Sequence, residues 1–157
     1  MPTLLAIDPS AERAVSDTGF AICYYDEDTP LTVKESGIIE GGFQGFTDVV
    51  NGKWGDILES VDEVVCENFI SYNPYADHTP LKIIGVVQFL RPDVILQPAS
   101  GKNTIVPNST LKDLGHWKTK GEGAGHHRDE VEAIRHAYYY LAGQQHIPTL
   151  KKLTGKK

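Results

Sequence analysis

Two acidic residues stand where a hydrophobic core would not accept them without a partner. Asp8 follows the apolar run of residues 3–7, and Glu67 interrupts a second apolar run at residues 63–70. Carboxylates are rarely fully buried unless they are paired or bound to a cation. If these two runs are neighbouring strands, both side chains can converge at one edge of a sheet.

A further acidic pair, Asp129 and Glu132, lies near the start of the last predicted helix. Their i, i+3 spacing puts them on adjacent parts of one helix face. Four converging carboxylates would repel one another, and a divalent cation is the natural compensation. Oxygen-only ligands suit magnesium or manganese better than zinc. Two such ions about 3.5–4 Å apart can clamp a phosphodiester for hydrolysis.

Each of these acidic residues also has an ordinary explanation. Asp8 could begin an Asp-Pro turn, Glu67 could pair with a lysine, and Asp129 could favour a helix N-terminus electrostatically. Taken singly, the ordinary explanations are the stronger ones. Taken together they are less satisfactory, because Glu67, an acidic residue inside the apolar run at residues 63–70, has no simple structural reason.

The elements that must position these residues alternate in a recognisable way. Strands are predicted at residues 3–7, 19–25, 31–40, 63–70 and 93–97, and helices at 43–58, 79–90, 110–117 and 126–142. Three strands in succession indicate antiparallel pairing, whereas strands separated by helices indicate parallel crossovers. The prediction is an α/β fold with a mixed five-stranded sheet, its first three strands antiparallel, flanked by helices. Several folds share this order, so it does not by itself identify a function.

Composition and charge limit the classes of protein that remain. The chain has 157 residues, 40% of them hydrophobic, which is the size and composition of one globular domain. We predict a domain at residues 1–145 and a basic C-terminal tail at 146–157, and we expect the last seven residues to be solvated and frayed. The net charge of -6 counts against a protein that coats DNA without selectivity. Lysines nevertheless cluster after Gly101, and a local basic face can bind phosphate.

Cellular location is predicted from what the sequence lacks. No apolar run approaches the ~20 residues that span a bilayer, and the start has no signal-peptide pattern. Cys23 and Cys66 lie inside apolar runs without metal-type spacing, so we expect buried thiols. These features predict a cytoplasmic protein with no membrane partner.

Three segments resemble the RuvC-type Holliday-junction resolvases of the RNase H-like superfamily, particularly the short versions carried by bacteriophages. The segments are Ile7-Asp8-Pro9-Ser10 with Thr18-Gly19-Phe20-Ala21-Ile22, Val65-Cys66-Glu67-Asn68-Phe69, and the run from Asp129 to Ala137. The resemblance implies an RNase H-like fold with Asp8, Glu67, Asp129 and Glu132 as catalytic metal ligands. It also implies two magnesium or manganese ions, and the host-cell cytoplasm if a phage encodes the chain.

The register of the last helix leaves two ligand pairs open. Similarity to the family favours Asp129 with Glu132, although Glu132 replaces the more usual aspartate. Helical phase favours His126 with Asp129, because that pair is in line with the small residues Ala133 and Ala137. Asp129 belongs to both pairs.

The resemblance also implies a DNA-binding surface and a partner subunit. In the family the loop after the fourth strand enters the junction, and aromatic rings there can stack on unpaired bases for ~1–3 kcal/mol each. Resolvases of this type cut two symmetric strands, so the resemblance implies a homodimer. The helix at 79–90 carries an apolar stripe that could form the dimer contact or equally a core face. The residues concerned are Phe69, Tyr72 and Tyr75 for stacking, Lys102, Lys112, Lys118 and Lys120 for phosphate contacts, and Leu81, Ile84, Val87 and Leu90 for the stripe.

The function predicted is that of a metal-dependent endonuclease that resolves Holliday junctions and related branched DNA. One alternative is a nuclease of the same fold that cuts flaps, forks or RNA–DNA hybrids. Another is a junction-binding protein without catalysis, although the presence of every expected carboxylate argues against it. The opening also resembles the phosphate-binding hairpin of actin-like ATPases, but those proteins need two such domains, and 157 residues cannot hold both.

Overall fold

A computed structural model of the chain describes residues 2–9, 17–69, 78–117 and 128–155. The strands are β1 (Thr3–Pro9), β2 (Thr18–Tyr24), β3 (Thr32–Ile39), β4 (Glu63–Glu67) and β5 (Ile95–Gln97). The helices are α1 (Gly42–Val50), α2 (Lys53–Ser60), α3 (Thr79–Leu90), α4 (Lys102–Ile105), α5 (Asn108–Asp113), α6 (Arg128–Gly143) and α7 (Ile147–Thr154). All five predicted strands are therefore present.

The strands form one mixed sheet in the order β3-β2-β1-β4-β5. β1 and β3 both pair antiparallel with β2, whereas β4 runs parallel to β1 and to β5. The predicted five-stranded sheet, antiparallel over its first three strands and flanked by helices, is confirmed. Parallel pairing of β1 with β4 puts the carboxyl ends of both strands at the same edge.

Alternation along the strands divides the core between two faces of the sheet. Leu4 and Ala6 pack with the apolar residues of α6, whereas Leu5 and Ile7 pack with those of α1, α2 and α3. Side chains two residues apart share a face. Asp8 therefore continues the row that faces α6. Cys23 and Cys66 are buried free thiols, as predicted.

Two predicted helices differ from those in the structure. The helix expected at 43–58 is divided into α1 and α2, because Asn51 and Gly52 lie in a turn and Gly52 has non-helical angles. Glycine lowers helix propensity, so the chain can turn there at little cost. The helix expected at 110–117 begins earlier, at Asn108, and follows the short helix α4.

The segment predicted as a basic tail contains helix α7, which packs against α6. Thr149 is buried, and its hydroxyl accepts a hydrogen bond from the Leu31 amide at 3.0 Å. The Lys152 ammonium donates to the Leu31 carbonyl at 2.6 Å. These side chains tie α7 to the chain before β3, so residues 147–154 of the segment form a packed helix. Within the four described ranges, no helix is long and apolar enough to cross a membrane.

The apolar stripe on α3 serves two surfaces. Ile84 and Val87 are buried in the core, which is the alternative role considered for them. Leu81 and Phe89 point outward and are 45% and 83% exposed, and Leu90 is also exposed. Phe89 and Leu90 line a recess of about 570 Å³ between α1 and α3.

Arg91, which follows α3, holds the end of α2 against the start of β4. Its guanidinium donates to the carbonyls of Leu58 and Val61 at 2.6 and 2.7 Å, and it forms a forked ion pair with Asp93. We expect Arg91→Ala to lower the free energy of unfolding by about 2–3 kcal/mol, because carbonyls at a helix end lose a charged donor. Urea denaturation measures the loss.

The control for this prediction is Asp93→Ala. Asp93 is 65% exposed, so its ion pair contributes at most about 1 kcal/mol. Equal losses in the two variants would mean that the ion pair, and not the carbonyl contacts, carries the effect of Arg91.

Candidate active site

Asp8 and Glu67 lie side by side at the carboxyl ends of β1 and β4. The parallel register pairs Ile7 with Cys66, so each acidic residue is the next one along its strand. Both side chains face α6, and the two carboxyl groups are hydrogen-bonded to each other. Asp8 is buried, with only 6% of its surface exposed. The two strands thus bring together the pair of carboxyl groups that the sequence pattern predicts.

The two carboxyl groups of this pair have opposite pKa shifts. Burial raises the pKa of Asp8 well above its usual value, and the nearby Glu67 and Asp129 raise it further. Burial alone would also raise the pKa of Glu67, but contacts with His136, Asp8 and the Lys102 ammonium outweigh burial and lower it to about 2. Asp8 therefore holds the shared proton and donates it in a hydrogen bond to the Glu67 carboxylate.

Asp129 reaches this edge of the sheet because Gly19 lets α6 approach. Gly19 pairs with Asp8 across β1 and β2. A Cβ atom at position 19 would lie 1.8 Å from the Asp129 carbonyl oxygen, closer than any non-bonded contact allows. The first turn of α6 thus rests directly on the backbone of β2, within electrostatic reach of Asp8.

Lys102, predicted to contact phosphate, lies inside the carboxylate cluster. Its ammonium is 2.7 Å from Glu132 Oε2 and 3.5 Å from Glu67 Oε1, and its side chain is 12% exposed. Burial would lower the pKa of Lys102, but Glu132, Glu67 and Asp8 outweigh it and raise that pKa. The positive charge of Lys102 therefore lies between the carboxylate of Glu67 on β4 and that of Glu132 on α6.

Glu132 is shared between two cations. Its Oε2 contacts Lys102, and its Oε1 lies 3.2 Å from Arg135 Nη2. Arg135 is buried and donates to the Val106 carbonyl at 2.8 Å and to Asn108 Oδ1 at 2.5 Å. These contacts direct Glu132 toward the chain around α4 and α5.

His136 contacts the site although the sequence analysis did not select it. Its Nε2 is 3.1 Å from Glu67 Oε2, close but not aligned as a hydrogen bond. The Gln97 amide donates to His136 Nδ1 at 2.9 Å and to the His136 carbonyl at 3.0 Å. Because Nδ1 accepts from the Gln97 amide, the ring nitrogen that carries a proton toward Glu67 is Nε2.

Two signals for this pair were present in the sequence. His136 follows Asp129 and Glu132 at spacings of seven and four residues, which belong to one helix face. Gln97 ends β5 and is the register partner of Glu67. A polar residue at the end of a short strand is the same kind of signal that selected Asp8.

The other predicted DNA contacts are dispersed. Phe69 is half-buried and packs against the core on the α1–α3 side. Lys112 is exposed, and its ammonium lies 5.0 Å above the ring of Trp117. Five further predicted residues lie outside the described ranges: Tyr72, Tyr75, Lys118, Lys120 and the alternative ligand His126.

Comparison with known proteins identifies the fold. No family model matches the chain, and no curated protein matches it. A structure of Thermus thermophilus RuvC in complex with Holliday junction substrate aligns with a TM-score of 0.55, covering 90% of this chain and 96% of that one at 13% identity. The fold is RuvC-like. A second structure of Thermus thermophilus RuvC aligns with the same score and coverage at 12% identity.

The RuvC-like fold confirms the RNase H-like architecture that the sequence predicts. Its arrangement explains why Asp129 lies in electrostatic reach of the Asp8–Glu67 pair, since β1 and β4 end, and α6 begins, at one edge of the sheet. Among the described residues, no group of three or more His, Cys, Asp or Glu side chains is gathered as a ready metal site. The Lys102 ammonium stands between two of the carboxylates, where a cation is favoured.

Proposed function

We propose that this protein is a metal-dependent endonuclease that resolves Holliday junctions and related branched DNA by phosphodiester hydrolysis. The observation that carries the proposal is the buried Asp8–Glu67 pair, with Asp129 in electrostatic reach, at one sheet edge of a RuvC-like fold. Two adjacent carboxyl groups that share a proton at a buried position lower stability, so their presence indicates a functional role.

The donor set fits magnesium or manganese. Asp8, Glu67 and Asp129 offer oxygen ligands, and the ammonium of Lys102 already occupies the cluster as a monovalent cation. Glu132 or His126 would complete the set. When bound, two such ions supply an activated water and neutralise charge on the scissile phosphate.

The chain's own residues prepare the site for that chemistry. With a divalent cation at the site, Asp8 would give up the proton that it shares with Glu67, and both carboxylates would be available as oxygen ligands. His136, fixed by Gln97, holds the Glu67 carboxylate in place. When a divalent cation replaces its ammonium between Glu67 and Glu132, Lys102 would be free to contact a phosphate of the DNA, which is the role predicted for it.

The function is tested with a synthetic four-way junction, in magnesium or manganese, beside linear duplex, flap and RNA–DNA hybrid of matched sequence. We expect paired nicks near the crossover of the junction. Equal cutting of flaps would broaden the function to a branch nuclease. Tight junction binding without cutting of any substrate in either metal would refute the enzyme and leave a DNA-binding module.

Lys102→Met should tighten binding of a divalent cation by about tenfold. With the ammonium removed, an incoming ion has no positive charge to displace from Glu67 and Glu132. Without metal, the variant should melt at a lower temperature, because two buried carboxylates lose their counterion. Calorimetric titration with manganese and thermal melting in a chelator measure the two effects.

Lys112→Met is the matched control, because Lys112 is exposed on α5 and contacts Trp117 instead of the carboxylates. It should leave the manganese affinity unchanged. If both lysine variants bind manganese as the native protein does, Lys102 does not share the cation site.

We propose a second copy of the chain as the protein partner. Two symmetric cuts require two sites, and each chain carries one such carboxylate pair in its described part. The surface assigned to this contact is formed by the exposed stripe residues Leu81 and Leu90 together with Phe89, an exposed residue of the same helix outside the predicted stripe. Apolar surface of this kind favours a self-complementary two-fold interface.

Phe89→Glu should convert the dimer to a monomer, because it buries a charge at the centre of an apolar contact. Phe89 is 83% exposed, so the fold itself should be unaffected. Light scattering gives the mass, and the junction assay should change from paired to single nicks. Gln88→Glu, on the same helix and also exposed, is the control for charge alone. A native protein that is already monomeric at assay concentration would contradict the dimer.

A further inference from the structure

A recess of about 440 Å³ opens beside the carboxylate cluster, between α6 and the chain that carries α4 and α5. Its floor includes Val131 and Arg135, both buried on α6. The recess shares Glu132 with the cluster, so its occupant would be a close neighbour of whatever the carboxylates hold. The volume is in the range of about 300–1,000 Å³ that small-molecule sites span.

The walls combine an aromatic ring, two amides and a guanidinium. Trp117 supplies the apolar wall, Asn103 and Asn108 supply amides, and Arg128 stands exposed at the start of α6. The oxygen of Asn108 accepts a hydrogen bond from Arg135, which turns its amide nitrogen toward other partners. Amides pair with base edges, aromatic rings contact base faces, and arginine binds phosphate.

Charge also favours a nucleotide over a neutral ligand. Two arginines line the recess against a single carboxylate among its described residues, and that carboxylate already pairs with Lys102 and Arg135. The recess is therefore a mildly positive, partly apolar site.

We propose that this recess binds one unpaired nucleotide next to the scissile phosphate, which makes it a base-reading subsite of the nuclease. The inference rests on the proposed function, because that function supplies the DNA strand to which the nucleotide belongs. The recess itself is defined by its lining residues. A base reaches it only after leaving the stack, which costs least where pairing is already interrupted. Branched DNA offers such bases at its crossover, so the subsite would select branches and prefer certain bases at the cut.

The test uses Trp117 as its own probe. The chain has two tryptophans, and the other, Trp54, is buried against Phe20. In a Trp54→Phe background and in chelator, a single-stranded thymidine tetranucleotide should quench Trp117 emission. An abasic tetranucleotide with the same phosphates should need at least about a fivefold higher concentration, because it lacks the base contact.

A second readout does not depend on the Trp54 variant. A tetranucleotide containing 2-aminopurine should change its emission on binding the native protein, and Asn103→Ala should weaken that binding by about fivefold or more. Asn51→Ala, exposed at the end of α1, is the matched control and should bind as the native protein does. In junctions with randomised crossover sequence, Asn103→Ala should also alter the distribution of cut sites.

Two outcomes separate this inference from the proposed function. Base-dependent binding without any cutting would refute the nuclease and support the nucleotide site. Junction cutting with equal binding of normal and abasic tetranucleotides, or with no effect of Asn103→Ala, would overturn the subsite and leave the nuclease intact.

Discussion

Asp8→Asn should abolish junction cutting, by at least about a thousandfold, and yet raise the melting temperature of the metal-free protein. The carboxyl group of Asp8 is buried beside Glu67 and near Asp129, and these surroundings disfavour its charge. Asparagine has the same shape, carries no charge, and can donate a hydrogen bond to Glu67 as the protonated acid does. Residues held for chemistry at the expense of stability give this opposite pattern when they are replaced.

The sign of the stability change depends on pH. Asp8 keeps its proton to a higher pH in the folded chain than in the unfolded chain, where its pKa is about 3.9. Between the two pKa values the folded state binds more protons, so the free energy of unfolding falls as pH rises. The advantage of Asp8→Asn should therefore be absent near pH 4 and grow toward neutral pH.

Magnesium should make the native protein melt at a higher temperature than the Asp8→Asn variant, the reverse of the order without metal. A cation that binds only the folded state adds stability that increases with its concentration. The native protein should gain this stability and the variant should not. Asp113→Asn, exposed at the end of α5, should leave melting and cutting unchanged. Unaltered junction cutting by Asp8→Asn would show that the buried pair has no part in catalysis.

The convergence of Asp8 and Glu67 could be predicted because two simple rules suffice. Asp8 follows one apolar run and Glu67 lies within another, and parallel neighbours in a sheet carry their carboxyl ends to one edge. The mixed sheet follows from the order of strands and helices in the same way. Both inferences use patterns that are local in the sequence.

The position of Lys102 could not be predicted in this way. It lies on a four-residue helix after β5, and its contact with Glu67 and Glu132 depends on how that connection crosses to α6. Sequence alone identified it as a candidate phosphate contact but not as the counterion of the carboxylates. The choice between Glu132 and His126 as the partner of Asp129 stayed open in the sequence because similarity and helical phase favour different pairs. The two cationic partners of Glu132, Lys102 and Arg135, are fixed by tertiary packing, which no local pattern reports.

Gly19→Ala should disrupt stability and cutting together, in contrast to Asp8→Asn. The added methyl group would meet the Asp129 carbonyl oxygen at 1.8 Å and the Glu130 amide nitrogen at 2.8 Å. Both are backbone atoms, so α6 must move away from β2. We expect a loss of about 3 kcal/mol in the free energy of unfolding, because one methyl group overpacks a helix–sheet contact. Urea denaturation and the junction assay measure the two losses.

Gly143→Ala separates this steric effect from the general effect of replacing a glycine. Gly143 ends the same helix, and a Cβ atom there would meet nothing within 4 Å. That variant should be as stable as the native protein or slightly more so, since alanine is the better helix former. A stable Gly19→Ala that still cuts junctions would mean that Asp129 can act from a displaced helix. Close approach of α6 to β2 would then not be what positions the third carboxylate.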